Sequence, residues 1–356
     1  MIRILIVDDS ALMRKLLGGI FTAAGDFEIG TARDGLDGLA QLSTFRPDVV
    51  TLDINMPGLD GLACLDRIML EHPVPVVMVS ALTEEGADET LTALSMGAVD
   101  FIAKPDGAIS LHMPALTEEL VARVRAAATI QLPRSRRLAE RMRLRRQPVP
   151  EVPVVAPAVA AASRAAGSGL VLVGSSTGGP PALDTLLSGL PADLPWPIVI
   201  AQHMPASFTG PLARRLDGLS ALSVTEVTGP TPLLSGHVYV ARGGADIIIS
   251  ARDGQLMANA APMQADYPWH PSADRLVRTA LQHVPAANLV GVLLTGMGSD
   301  GAAAMSELRA AGGHTIAEAE ETAVVWGMPG ALVSRGGAVD TLPMDAIAAR
   351  LVALLT

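Results

Sequence analysis

Short apolar runs recur along two long stretches of the chain, each run followed by a segment with the apolar spacing of a helix. In the first stretch the runs predict strands at Arg3–Val7, Glu28–Ala32, Val49–Leu52, Val74–Val79 and Asp100–Ala103. In the second they predict strands at Leu170–Val173, Pro197–Ala201, His237–Ala241, Asp246–Ile249 and Leu289–Leu294. Strands that alternate with helices in this way build α/β domains with doubly wound parallel sheets, and two such domains are expected here. Between them, residues 114–131 keep a helical pattern through Leu116, Leu120, Val121 and Val124, and Pro133 ends it. An arginine-dense stretch from Arg134 to Arg146 follows, then a Pro/Ala/Val/Gly/Ser-rich segment with linker composition from Gln147 to Gly169. The expected division is a first domain at 1–122, a connector at 123–167 and a second domain at 168–356.

Composition narrows the function classes. A chain of 356 residues with 49% hydrophobic content can fill two cores. A formal net charge of -10 and only 3% aromatic residues argue against nucleic-acid binding. Cys64 is the single cysteine, so an intramolecular disulfide or a thiolate zinc cluster is excluded, which fits a reducing cytoplasm. Asp8 and Asp9 interrupt the N-terminal apolar run too early for a secretory signal, and no apolar run is long enough for membrane insertion.

Polar residues cluster just past the predicted strands of the first domain. Asp8 and Asp9 follow the first strand, Asp53 ends the third, Ser80 follows the fourth and Lys104 follows the fifth. Ligands of open α/β sheets sit at the carboxyl ends of the strands, so these side chains should converge. Packed carboxylates repel one another unless a divalent cation lies among them, and an all-oxygen donor set suits Mg²⁺. A carboxylate can also attack a phosphoryl group to give an acyl phosphate. Lys104 would neutralise the arriving group and the Ser80 hydroxyl would close onto it.

The second domain carries its own chemistry. Leu-Val-Leu-Val-Gly-Ser-Ser-Thr-Gly-Gly-Pro at 170–180 runs a strand into a small-residue turn, with Pro180 and Pro181 suited to a helix start. Gly174 to Gly178 has Gly-x-Ser-x-Gly spacing with Ser176 central. His203 follows a second strand, and Asp300 lies in a glycine-rich loop after a third. Ser176, His203 and Asp300 therefore supply a nucleophile, a base and an orienting carboxylate at one sheet edge. Backbone N–H groups at Thr177 and Met297 could cradle an oxyanion. His270 is the rival base, in a loop after Trp269. An α/β-hydrolase-type esterase would instead use His314, placed last in the chain. A non-enzymatic phospho-dependent docking protein and a transcriptional regulator are further readings, the last disfavoured by the lack of a helix-turn-helix pattern.

The first domain resembles the receiver domain of two-component response regulators. The resemblance is carried by Ile-Leu-Ile-Val-Asp-Asp-Ser, Asp-Val-Val-Thr-Leu-Asp-Ile-Asn-Met-Pro-Gly-Leu-Asp-Gly, Val-Val-Met-Val-Ser-Ala and Asp-Phe-Ile-Ala-Lys-Pro. It implies a flavodoxin-like fold and phosphate transfer to Asp53 from the histidine kinase of a chemosensory system. It also implies Mg²⁺ held by Asp8, Asp9, Asp53 and the Asn55 carbonyl, with Ser80 and Lys104 sensing the phosphoryl group.

The second domain is similar to the catalytic domain of chemotaxis protein-glutamate methylesterases. Val-Gly-Ser-Ser-Thr-Gly-Gly-Pro, Ile-Ala-Gln-His-Met-Pro-Ala-Ser-Phe-Thr, Leu-Leu-Thr-Gly-Met-Gly-Ser-Asp-Gly-Ala, His-Pro-Ser-Ala-Asp and Gly-Met-Pro-Gly-Ala carry this resemblance. It implies a Rossmann-like fold and a cytoplasmic enzyme, activated by phosphorylation, that needs no cofactor for its ester chemistry. Its substrates would be glutamyl methyl esters on the cytoplasmic helices of chemoreceptors, with methanol released and some glutamines deamidated. One loop departs from the family pattern: Ala-Pro-Gly-Gly-x-His is replaced by Ala241-Arg-Gly-Gly-Ala-Asp246, which bears on rate or receptor preference through Arg242 and Asp246.

Overall fold

Strands β1 (Ile2–Val7), β2 (Phe27–Ala32), β3 (Val49–Asp53), β4 (Val76–Ser80) and β5 (Asp100–Ala103) pair in parallel in the order β2-β1-β3-β4-β5. The computed structural model describes residues 1–80, 83–104, 113–130 and 169–355, so the arginine-dense and linker segments lie outside the described residues. The chain divides into two compact units. In the first, β3 and β4 are buried at every position, because the sheet is covered on both faces. Helices α1 (Ala11–Ala24), α2 (Gly35–Phe45), α3 (Gly61–Glu71), α4 (Glu84–Met96) and α5 (Met113–Ala128) alternate with the strands. Ser10, Asp34 and Asp60 cap the first three by accepting the N–H of Met13, Asp37 and Ala63, each worth about 1 kcal/mol. β4 begins two residues after the sequence expectation because Pro75 has no N–H to give the ladder. The strand order reverses direction between β1 and β3, and that switch point opens a crevice at their carboxyl ends.

The second unit holds β6 (Leu170–Ser175), β7 (Ile198–Gln202), β8 (Ser223–Val227), β9 (Thr231–Pro232), β10 (His237–Ala241), β11 (Asp246–Arg252), β12 (Gln255–Ala261), β13 (Leu289–Leu293), β14 (His314–Glu318) and β15 (Asp340–Leu342). Seven of them form a parallel sheet in the order β15-β14-β13-β6-β7-β10-β8, with its switch point between β13 and β6. Leu170, Leu172, Val199, Ala201, Leu289 and Leu293 build the core around that point, each fully buried. At about 1.5–3 kcal/mol per fully buried large aliphatic side chain, this packing is the main force that sets the sheet.

Its helices are α6 (Gly179–Ser188), α7 (Ala206–Leu219), α8 (Ala273–Leu281), α9 (Ala302–Ala310), α10 (Met328–Ser334) and α11 (Met344–Leu355). One expectation is corrected. The segment from Asp246 does not join the parallel sheet; β11 pairs antiparallel with β12 in a separate three-stranded sheet. The cause is the two-residue turn Asp253-Gly254, where both residues have positive φ (50° and 79°) and fold the chain straight back. No helix among the described residues is long and apolar enough to cross a membrane.

Candidate functional site

β6 and β7 pair with Ser175 opposite Gln202, and the His203 N–H extends the ladder to the Ser175 carbonyl at 3.0 Å. Ser176 and His203 therefore leave adjacent strand ends at the same level, where parallel strands stand about 4.8 Å apart. On the other side of β6, the Ser176 N–H donates to the Thr295 carbonyl at 3.0 Å, which brings the loop after β13 alongside. His203 Nε2 lies 2.8 Å from Asp300 Oδ2 in that loop. All three side chains are buried. The structure thus gathers Ser176, His203 and Asp300 at the carboxyl ends of three neighbouring strands, beside the switch point.

Close backbone approach makes this possible. A Cβ on Gly296 would stand 2.9 Å from Ser176 Cβ and 3.0 Å from its nitrogen, so only glycine lets the loop lie against the serine. Gln202 adds a polar brace: its Nε2 donates to the carbonyls of Ser176 (3.0 Å) and His203 (3.1 Å), and its Oε1 accepts the Ser175 hydroxyl at 2.6 Å.

Asp300 is held by the start of α8. Ser272 Oγ donates to Oδ1 at 3.0 Å, the Ala273 N–H to Oδ2 at 2.6 Å and the Asp274 N–H to Oδ1 at 3.1 Å. Burial pushes this carboxyl up, but the His203 hydrogen bond and charge and these amides outweigh it, so its pKa lies below the usual carboxylate value. An ionised carboxylate only accepts hydrogen bonds, so the Nε2 facing it donates, and in the neutral imidazole Nδ1 is then the acceptor.

Thr177 is buried in the turn just before Gly178, the αL N-cap of α6, rather than in the helix itself; its carbonyl accepts Thr295 Oγ1 at 2.9 Å. Met297 is half-buried, two residues beyond Thr295. Two other histidines are paired with carboxylates of their own. His314 opens β14, at the amino end of the sheet, and pairs with Asp340 at 2.8 Å. His270 binds Asp246 at 2.8 Å.

Sequence reasoning did not single out four residues that shape the site. Trp269 stacks on His203 with ring centroids 6.3 Å apart and planes within 4°. Ser272 caps α8 and binds Asp300 with one hydroxyl; a serine ahead of an amphipathic run was the legible signal. Gln202 is the third. Glu318, buried at the end of β14, accepts the Thr295 N–H at 2.7 Å and the Thr322 hydroxyl at 3.0 Å, and burial raises its pKa.

In the first unit, carboxylate oxygens of Asp8, Asp9 and Asp53 lie within 4.8 Å of one another at the β1/β3 switch point. Lys104 Nζ is 2.7 Å from Asp53 Oδ2 and 3.7 Å from Asp8 Oδ2. Burial is the main cause that raises the pKa of both Asp8 and Asp53, and at Asp8 the Asp53 charge adds to it. Among the described residues the buried Asp8 Oδ2 accepts no hydrogen bond. An orphaned oxygen in an all-carboxylate set fits a small hard cation such as Mg²⁺. The Asn55 N–H donates to Asp53 Oδ1 at 3.3 Å, and Ser80 ends β4 fully buried beside β5, which leads to Lys104.

Residues 171–351 match the family described as CheB methylesterase, and residues 4–113 match the response regulator receiver domain. A protein-glutamate methylesterase/protein-glutamine glutaminase 2 of Rhodopseudomonas palustris (strain BisB18) is 55% identical over 99% of this chain and 98% of its own. A protein-glutamate methylesterase/protein-glutamine glutaminase 3 of Rhodospirillum rubrum is 49% identical over 99% of this chain and 95% of its own. The crystal structure of the Thermotoga maritima CheB methylesterase catalytic domain superposes with a TM-score of 0.51 at 36% identity, covering 53% of this chain and 99% of that one.

Proposed function

Because this chain belongs to the CheB methylesterase family and carries a receiver domain ahead of the catalytic one, we propose that it is a phosphorylation-activated protein-glutamate methylesterase with protein-glutamine glutaminase activity. The substrates are methylated glutamates on chemoreceptor cytoplasmic helices. The receiver runs from residue 1 through α5, past the expected boundary at 122, because Arg123 pairs with Asp100 and Val124 is buried; a connector follows to 167, and the esterase spans 168–356.

Ser176 Oγ attacks the ester carbonyl while His203 Nδ1 takes its proton, and Asp300 stabilises the resulting imidazolium. The N–H groups of Thr177 and Met297 face the oxyanion. Collapse breaks the bond to the methoxy oxygen, which leaves as methanol with the proton from His203. Water, deprotonated by the same nitrogen, then attacks the glutamyl–Ser176 ester; the bond to Ser176 Oγ breaks, that oxygen takes the proton back from His203, and the glutamate is freed. With a glutamine side chain the leaving group is ammonia. The observation that carries this reading is the 2.8 Å His203–Asp300 contact at the strand end beside Ser176.

In the receiver, an Asp53 carboxylate oxygen attacks the phosphorus of a kinase phosphohistidine; the O–P bond of an acyl phosphate forms as the P–N bond breaks, and the kinase imidazole leaves. Asp8, Asp9, Asp53 and the Asn55 carbonyl would hold Mg²⁺, whose charge would offset that of the transferred phosphoryl group. Lys104, already paired with Asp53, moves its charge onto the phosphoryl oxygens, and Ser80 supplies a hydroxyl to them.

Methanol release from a methylated receptor fragment, with and without a small phosphodonor, tests both halves. Wild-type protein is expected to release methanol faster with the donor, Asp53→Asn to show no such stimulation, and Ser176→Ala to lose about 10⁶-fold in turnover, as in a triad knockout of a serine protease. Equal stimulation of Asp53→Asn would sink the phosphorylation relay. Failure of a fluorophosphonate to label Ser176 would favour a docking protein without enzymatic activity.

A further inference from the structure

At Asp246 the chain departs from the family pattern, and the structure gives that carboxylate a set of partners. Its side chain opens β11 fully buried. Oδ1 accepts from His270 Nδ1 at 2.8 Å and from the Ser272 N–H at 2.9 Å, while Oδ2 pairs with Arg275 Nη1 at 2.7 Å. A carboxylate this deep persists only when it is paired and hydrogen-bonded, and every one of these partners comes from residues 270–275. A histidine at 246 could not neutralise the Arg275 guanidinium, itself buried; an aspartate does.

The same segment touches two members of the triad. Trp269 stacks on His203, and Ser272, Ala273 and Asp274 donate to Asp300. Ser272 joins the two carboxylates directly, its N–H on Asp246 and its hydroxyl on Asp300. We propose that Asp246 is a positioning residue of the esterase: through His270, Ser272 and Arg275 it fixes residues 269–274 in the placement that cradles Asp300 and stacks Trp269 on His203. This rests on the triad reading above. Asp246 touches no reacting atom; it acts by keeping the orienting carboxylate within hydrogen-bond reach of the imidazole, where a displacement of about 1 Å can cost about 10²-fold.

The full-length wild type, Asp246→Ala and Asp246→Asn are compared in methanol release from a methylated receptor fragment. End-point fluorophosphonate labelling counts competent Ser176 in each sample. Asp246→Ala is expected to lower kcat per labelled site by about 10²-fold with KM nearly unchanged, since the loss lies in the transition state. Asp246→Asn keeps an acceptor for the Ser272 N–H and should recover part of that loss. If Asp246→Ala does not fold, Asp246→Asn alone decides, with kcat per site expected below wild type. Wild-type kcat per labelled site in either folded variant overturns the inference, as does a loss confined to the number of labelled sites. An inactive, unlabelled wild type would instead overturn the esterase reading itself.

Discussion

His203 turns Nε2, not Nδ1, toward Asp300, at 2.8 Å. The proteolytic Ser-His-Asp arrangement pairs the carboxylate with the other nitrogen. Here the imidazole leaves the end of β7 directly beside Ser176 and reaches outward to a carboxylate on the loop after β13. The roles survive the exchange, because either nitrogen can hold the proton while the other accepts one.

That placement separates His203 from His314, the base of the α/β-hydrolase reading. His203→Ala is expected to reduce methanol release by about 10⁶-fold, the scale of losing a triad base. His314→Ala should turn over at the wild-type rate, losing at most about 1 kcal/mol of stability with its partly exposed Asp340 pair. Measuring kcat for both variants checks this, and an inactive His314→Ala with an active His203→Ala would point to the α/β-hydrolase arrangement.

Gly296 offers a test of geometry alone. An alanine methyl there would meet Met328 Sδ and press on the Ser176 backbone and Cβ. The thioether can swing away, but the serine cannot move without leaving its strand end. Gly296→Ala should therefore lower kcat by about 10²-fold while the protein stays folded. Unchanged turnover, with circular dichroism like wild type, would show that the loop has slack to spare.

The depressed pKa of Asp300 fixes the sign of one pH effect. A carboxyl held below its unfolded value of about 3.9 contributes stability that is fully present above that value and is lost as pH falls through the folded one. Urea unfolding of wild type and Asp300→Asn should show a stability gap that is constant from about pH 7 to 5 and narrows only below about 3.9. A gap that closes between pH 7 and 5 would mean the carboxyl is not held low.

In the receiver, removing one buried charge should relieve repulsion. Asp8→Asn is expected to raise the unfolding temperature of the receiver transition without Mg²⁺ by a few degrees, since about 1 kcal/mol moves a small domain by about 4–8 °C. Added Mg²⁺ should raise the wild-type transition and hardly move the variant's. Calorimetry with and without the ion checks this, and equal shifts in both proteins would remove Asp8 from the cation site.

Much of the architecture was legible because parallel strands covered on both faces must be apolar throughout. Val49–Val50, Leu170–Val173 and Leu289–Leu293 announce themselves in this way. The residues just past those runs were legible too, since a doubly wound sheet presents them at one edge. β11 departs from that rule: its Ile-Ile-Ile run has the pattern of a buried parallel strand, but the Asp253-Gly254 turn reverses the chain and pairs it antiparallel with β12. Trp269 gave little warning, because it acts through contact with a residue far away in the chain.

The sequence by itself determined two α/β sheets, the polar residues at their carboxyl edges and the family to which those residues belong. Hydrophobic periodicity and strand-end placement are local properties, readable from neighbours in the chain. Tertiary structure alone decided which nitrogen of His203 meets Asp300, that the first turn of α8 cradles that carboxylate, and that Asp246 braces the cradle from β11. Those contacts join residues separated by whole strands and helices, so they exist only once the packed sheets have fixed where each loop ends.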